Sequence, residues 1–118
     1  MTSVSIGKLG EKVAREYLEK KGYNIIEQNY KTKYAEIDLI TKKKGILVFV
    51  EVRTKTGEEF GTPEDTINRD KKRKLRMNGR AYINRTKWKG PYRIDAICIV
   101  FNPDQTVSRL THYENIIE

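Results

Sequence analysis

Glu51 interrupts the most apolar stretch of a 118-residue chain, following Ile46, Leu47, Val48, Phe49 and Val50 and preceding Val52. Asp38 lies in a similar setting, between Ile37 and Leu39. Burying an ionised carboxylate without a partner is costly, so acids in such runs need a physical reason. Side chains alternate along a strand. Glu51, Arg53 and Lys55 therefore share one face and Val50 and Val52 the other, while Glu36 and Asp38 share a face of a neighbouring strand. Members of such a row are spaced roughly 6–7 Å apart. Carboxylates on adjacent strands suit a hard cation, Mg²⁺ or Mn²⁺, completed by water and phosphate oxygens. A cation held there would activate water and stabilise charge on a phosphate. A neighbouring Lys or Arg would offset the charge of the transition state. The same spacing also admits a purely structural reading, in which Asp38 or Glu51 pairs with Arg53, Lys55 or Arg93 at the end of the sheet.

Positioning these side chains requires a particular order of elements. Ser5 caps a first helix, with Ile6, Leu9, Val13, Ala14, Tyr17 and Leu18 at helical spacing and a stop at Lys20, Lys21 and Gly22. Residues 23–30, 35–41 and 46–54 read as three strands. The second and third are joined by a turn at Lys42, Lys43, Lys44 and Gly45, which predicts a hairpin whose register the sequence leaves open. The unbroken apolar run of the third predicts a central strand covered on both faces. After a loop over 57–61, Thr62, Pro63, Glu64 and Asp65 form a helix start, with Ile67, Leu75, Ala81 and Tyr82 on its buried face and a break expected near Asn68, Arg69 and Asp70. Residues 92–101 read as a fourth long strand, 102–104 as a turn and 107–113 as an edge strand. No repeat or linker divides the chain. The expectation is one α/β domain over residues 1–118, with a central mixed β-sheet flanked by helices.

Composition narrows the chemistry. The formal net charge is +8 and the sequence pI about 9.6, which points to polyanionic partners. No apolar run approaches the ~20 residues that span a bilayer, and the amino terminus does not read as a secretion signal. The expectation is a cytoplasmic protein without a membrane partner. A single cysteine, Cys98, in an apolar run reads as a buried inert thiol. A single histidine, His112, excludes histidine-pair metal motifs and carries no role by itself. Carboxylates and amines are the catalytic groups that remain.

Taken together, Gly10-Glu11 in a first helix, Glu36-Ile37-Asp38-Leu39-Ile40, Leu47 to Lys55 with Glu51 and Arg53 inside it, Phe60-Gly61 with Pro63, and Arg93-Ile94-Asp95 resemble the bacterial YraN family over nearly the whole chain. That family is similar to the PD-(D/E)xK nucleases, which include restriction endonucleases and Holliday junction resolvases. The resemblance implies a restriction-endonuclease-like αβββαβ core and a metal-dependent phosphodiesterase site. Asp38 falls on the motif aspartate and Glu51 on its second acid, both as metal ligands. Glu11 falls on the first-helix acid of the resolvase branch. The motif lysine falls on Arg53, which stays protonated and cannot serve as a general base but can hold a phosphate. Lys55 is the substitute amine on the same face, and Ile37 stands where the motif has proline.

Arg69, Lys71, Lys72, Arg73, Lys74, Arg76 and Arg80 crowd the second helix with only Asp70 among them. A solvated helix face is one reading. Phosphate contact by a subset, including Lys71, Lys72, Arg73, Lys74, Arg76 and Arg80, is the reading preferred on a chain this basic. Lys31, Lys33 and the Lys42, Lys43 and Lys44 turn supply a second strip. Trp88 can stack on a base or pack beside Pro91, and Tyr82 sits at a core position. Arg93 and Asp95 read as an ion pair within the sheet, or as support for the site. The expectation is an Mg²⁺- or Mn²⁺-dependent DNA endonuclease with catalytic residues Asp38, Glu51, Arg53, Lys55 and Glu11, selective for branched structures and, by analogy with resolvases, a homodimer. The alternatives are a non-catalytic nucleic-acid-binding protein on the same fold and a protein-interaction scaffold.

Overall fold

The structure, a computed structural model, describes residues 5–117. Residues 1–4, part of the stretch read for a secretion signal, lie outside the described residues. Helix α1 (Ile6–Lys20) precedes strands β1 (Asn24–Lys31), β2 (Glu36–Lys43) and β3 (Ile46–Thr56). Helix α2 (Arg69–Thr86), β4 (Tyr92–Phe101) and β5 (Val107–Tyr113) follow. The five strands form one sheet in the order β1-β2-β3-β4-β5. All neighbours are antiparallel except β3 and β4, which run parallel, so α2 is the crossover between them.

Ser5 caps α1 as expected, its hydroxyl accepting from the Lys8 N–H at 3.2 Å. The β2–β3 hairpin turns at Lys44 and Gly45, both with positive φ (50° and 79°), as a tight two-residue hairpin turn requires. The helix start read at Thr62 and the break expected near Asn68 are both present. Thr62 caps a separate short 3₁₀ turn, Pro63–Thr66, and α2 begins only at Arg69. The break comes where Ile67 leaves helical geometry (φ −97°, ψ 75°) and Asn68 caps anew, its Oδ1 accepting from the Lys71 N–H at 2.9 Å.

The sheet is covered on both faces. Leu18 and Ala14 of α1 pack on Leu39, Val48, Val50, Ile97, Ile99 and Phe101. Leu75 and Tyr82 of α2 pack on Ile40, Leu47, Phe49 and Ile94. Two close approaches set the helices. A Cβ at Gly10 would lie 2.2 Å from Thr54 Cγ2, so only glycine lets α1 sit this low on β3. Gly79 lets α2 approach the Phe49 ring, 3.2 Å from where a Cβ would be. Gly79 and Asn78 belong to the buried face of α2, whereas Ala81, expected there, is only half-buried.

Candidate active site

The site forms where β2 and β3 part. Their ladder runs from Lys43 opposite Ile46 to Leu39 opposite Val50 and goes no further. Beyond it, β2 continues against β1 and β3 continues against β4. One more step of the same register sets Asp38 opposite Glu51. There the Asp38 carboxylate replaces the ladder, its Oδ2 accepting from the Val52 N–H at 2.8 Å. A side chain thus satisfies a donor that the parting strands would leave orphaned. Gly10 seats α1 against β3, which carries the next residue, Glu11, to the same fork. One carboxylate oxygen each from Glu11, Glu36 and Asp38 lie within 4.8 Å of one another. Asn29 stands over two of these acids, its amide donating to Glu11 Oε1 at 3.0 Å and Glu36 Oε1 at 2.8 Å.

The electrostatics of the fork are lopsided. Burial, the neighbouring Glu51 carboxylate and Glu11 push the Asp38 carboxyl up to about 8, against the single opposing hydrogen bond from Val52. Glu51 is 4 % exposed and has two cationic partners on one oxygen: Arg53 at 2.9 Å and Lys71 at 3.1 Å. Arg53 Nε is buried with no partner among the described residues. Three carboxylates thus face one another at the fork mouth, in a hollow that Lys8, Lys12, Arg15 and Lys31 also line, while Arg53 and Lys71 sit on Glu51.

The structure brings four predicted site residues together: Glu11, Asp38, Glu51 and Arg53. Lys55 lies further along β3, its ammonium beside Gly61 of the following loop. Of the six basic side chains assigned to phosphate contact, Lys71 stands apart, sheltered and bonded to Glu51. Lys72, Arg73, Lys74, Arg76 and Arg80 are exposed along α2, with Arg73 and Lys74 tethered to Asp70. Trp88 packs: its Nε1–H donates to the Pro91 carbonyl at 3.0 Å and Lys42 lies over its ring. Cys98 is fully buried, which pushes its thiol up to about 12.

Sequence reasoning did not assign Glu36 or Asn29 to this site. Glu36 was legible as sharing a face with Asp38. Asn29 carried a fainter signal, a poor strand former that also tolerates the left-handed backbone it adopts here (φ 50°). Arg93 and Asp95 form the expected ion pair at 2.9 Å, but with Tyr17, Tyr23 and His112 rather than with the acids of the fork. There His112 Nε2 meets Asp95 at 2.8 Å and Arg93 Nη2 meets the Tyr23 hydroxyl at 2.6 Å.

No helix among the described residues is long and apolar enough to cross a membrane. The profile described as "Uncharacterised protein family UPF0102" matches residues 10–99, a span that contains the whole fork, all of α2 and most of β4. A UPF0102 protein of Pelotomaculum thermopropionicum is 40 % identical over 111 residues, covering 93 % of this chain and 92 % of the relative. A UPF0102 protein of Caldanaerobacter subterraneus is 40 % identical over 113 residues, covering 94 % and 93 %. One of Thermodesulfovibrio yellowstonii is 37 % identical over 115 residues, covering 98 % and 97 %. Matches of this extent and identity leave one assignment: the chain belongs to the UPF0102 family, the YraN family its motifs resemble.

Proposed function

We propose that this protein is a metal-dependent nuclease of restriction-endonuclease-like fold that hydrolyses DNA phosphodiester bonds, with a preference for branched or locally unpaired structures. The observation that carries the reading is the fork itself, where Asp38, Glu36 and Glu11 crowd their oxygens together and burial and the neighbouring acids push Asp38 up to about 8. An all-oxygen donor set of this kind fits Mg²⁺ or Mn²⁺. Bound there, the ion would supply Lewis acidity and an activated water.

The remaining roles belong to the chain. Asp38, Glu36 and Glu11 would hold the ion. Glu51 would complete that set once a phosphate draws Arg53 and Lys71 away from its oxygen. Those two cations would stabilise the charge that builds on a pentacovalent phosphorus, as fixed charges of that sign do. In the hydrolysis a water oxygen bonds to phosphorus, the bond to one bridging oxygen breaks, and that oxygen leaves with a proton. Arg53 stays protonated, and Lys71, which sits on Glu51, rather than Lys55 is the amine this geometry offers for proton handling. The exposed cations of α2 would hold flanking phosphates, making binding sensitive to salt.

The test is cleavage of labelled single-stranded, duplex, flap and four-way-junction DNA with Mg²⁺ or Mn²⁺, comparing wild type with Asp38→Asn and Glu51→Gln. Each substitution is expected to lower the rate by more than about a hundredfold, beyond what outer-shell changes at metal sites produce. Undiminished metal-dependent cleavage by either variant would remove that residue from the site. A second reading rests on Glu51 being already neutralised by Arg53 and Lys71, as in a binding module that has lost its chemistry. Salt-sensitive binding that survives chelation, with no cleavage under any condition, would select it.

A further inference from the structure

Between the β1–β2 hairpin and α2 lies a groove of about 650 Å³, lined by Thr32, Lys33 and Tyr34 of the hairpin and by Met77, Arg80 and Asn84 of α2. We infer that this groove is a site for one unstacked nucleotide, its base held against Tyr34, so that the substrate carries an unpaired base next to the bond at the fork. The inference rests on the nuclease reading above and adds a substrate class to it.

The volume is within the usual range for a small-molecule site. Its lining matches the parts of a nucleotide. Tyr34 is 38 % exposed at the hairpin tip, an apolar ring that the core does not use. The Lys33 ammonium stands over one face of that ring, 5.3 Å from its centroid, which leaves the other face for a base and puts a cation at hand for its phosphate. Arg80 and Asn84 are one helical turn apart and face the groove together. No other side chain among the described residues engages either one. A guanidinium suits phosphate, and an amide that both donates and accepts suits a base edge.

The hairpin is also braced in the shape it presents. The Thr32 hydroxyl accepts from the Tyr34 N–H at 3.1 Å. The same hydroxyl is bonded to Oδ1 of the fully buried Asn78 on α2. Fixing the loop to the helix lowers the ordering cost of binding. Position along the chain ties the groove to the fork: Tyr34, in the bend before β2, precedes Glu36 by two residues, a reach of at most about 7 Å. A base on Tyr34 would therefore belong to a nucleotide close to the phosphate at the acids. A base inside a duplex is stacked on both faces and cannot enter. An unpaired one can, and stacking of this kind tolerates any sequence.

The experiment measures binding by full-length protein in chelator, where no cleavage occurs. The probes are a single-stranded oligonucleotide and a blunt duplex, each with one 2-aminopurine. Wild type is expected to quench the single-stranded probe and to bind it more tightly than the duplex. Tyr34→Ala is expected to lose about tenfold in single-strand affinity and to keep its duplex affinity, while Tyr34→Phe, which keeps the stacking face, binds as wild type. Equal affinity of wild type and Tyr34→Ala for the single strand, or no quenching by wild type, would overturn the inference. Because no metal is present, either result leaves the cleavage test of Asp38 and Glu51 standing by itself. A protein that quenches the probe but never cuts would retain the groove and lose the nuclease.

Discussion

Asp38 and Asp95 make a natural pair. Each interrupts an apolar strand, Asp95 fully buried and Asp38 half-buried. At Asp95 burial pushes the carboxyl up, but hydrogen bonds from His112, Arg93 and the Asn115 N–H outweigh it and hold the group below the usual carboxylate range. All of its acceptor capacity is used. Arg93 Nε and the Asn115 N–H meet Oδ1 at 2.9 Å each, and Arg93 Nη2 and His112 Nε2 meet Oδ2 at 3.1 and 2.8 Å. The carboxylate only accepts, so His112 carries hydrogen on Nε2, and in its neutral form Nδ1 accepts from the Tyr17 hydroxyl at 3.1 Å. Asp38 has one N–H donor, and its charged neighbours are other acids. What separates a structural acid from a candidate catalytic one is the shortage of compensating charge, with burial common to both.

Removing Asp95 sharpens the contrast most. Asp95→Ala leaves Arg93 and His112 half-buried without their carboxylate, and is expected to cost about 3–5 kcal/mol of stability. Urea titration at constant m-value measures it. A loss below about 1 kcal/mol would mean that the Asp95 knot is no more than surface ion pairing. A divalent cation probes the other side. If the crowded carboxylates of the fork hold a cation, Mn²⁺ at a hundred times its dissociation constant is expected to stabilise wild type by about 2.7 kcal/mol. Asp38→Asn is expected to lose this response and Asp95→Asn to keep it. Thermal unfolding with and without the metal reads the effect, and an equal response from wild type and Asp38→Asn would place the ion elsewhere.

The difference between the two aspartates was only half legible in the sequence. Both acids stand out in an apolar run, and alternation correctly put Glu51, Arg53 and Lys55 in one row and Glu36 beside Asp38. The five-stranded sheet and both helices followed from periodicity, because hydrophobic spacing is local. Partners are not local. Glu51 meets Lys71 from a helix that begins beyond a loop and a 3₁₀ turn, and nothing in the basic cluster distinguishes Lys71 from Lys72 until α2 is docked and Leu75 fixes its rotation. His112 reaches Asp95 only through the β4–β5 register, in which it pairs with Ile97. Asn29 reaches Glu11 and Glu36 through a backbone conformation that strand patterns do not encode. The break at Ile67 was legible only as a suspicion, since Thr62 and Asn68 are both good caps and which one opens the long helix depends on how the loop packs.

The smallest expected effect is also the one with opposite sign on the two acids. Asp38 has a folded value of about 8 against an ordinary 3.8, so between those values the folded protein binds a proton there that the unfolded chain does not. Stability then falls as pH rises from about 4 to about 8, because the slope follows the protons bound by the unfolded minus the folded state. Asp38→Asn removes that penalty and keeps the shape. It is expected to be more stable than wild type at pH 9, by at least the ~1.4 kcal/mol that a single pKa unit represents, and to match it near pH 4. For Asp95, held below its ordinary value, the stabilisation is complete above about 4 and is lost as pH falls through the lower folded value. Asp95→Asn is accordingly expected to be less stable than wild type at pH 7, with the gap closing under acid. Denaturation of both variants from pH 3 to 9 without metal decides it. Two curves that diverge from wild type in opposite directions as pH rises would establish that the fork stores unfavourable charge and the knot does not. Parallel curves would reduce both sites to ordinary buried acids and remove the electrostatic argument for a cation at Asp38.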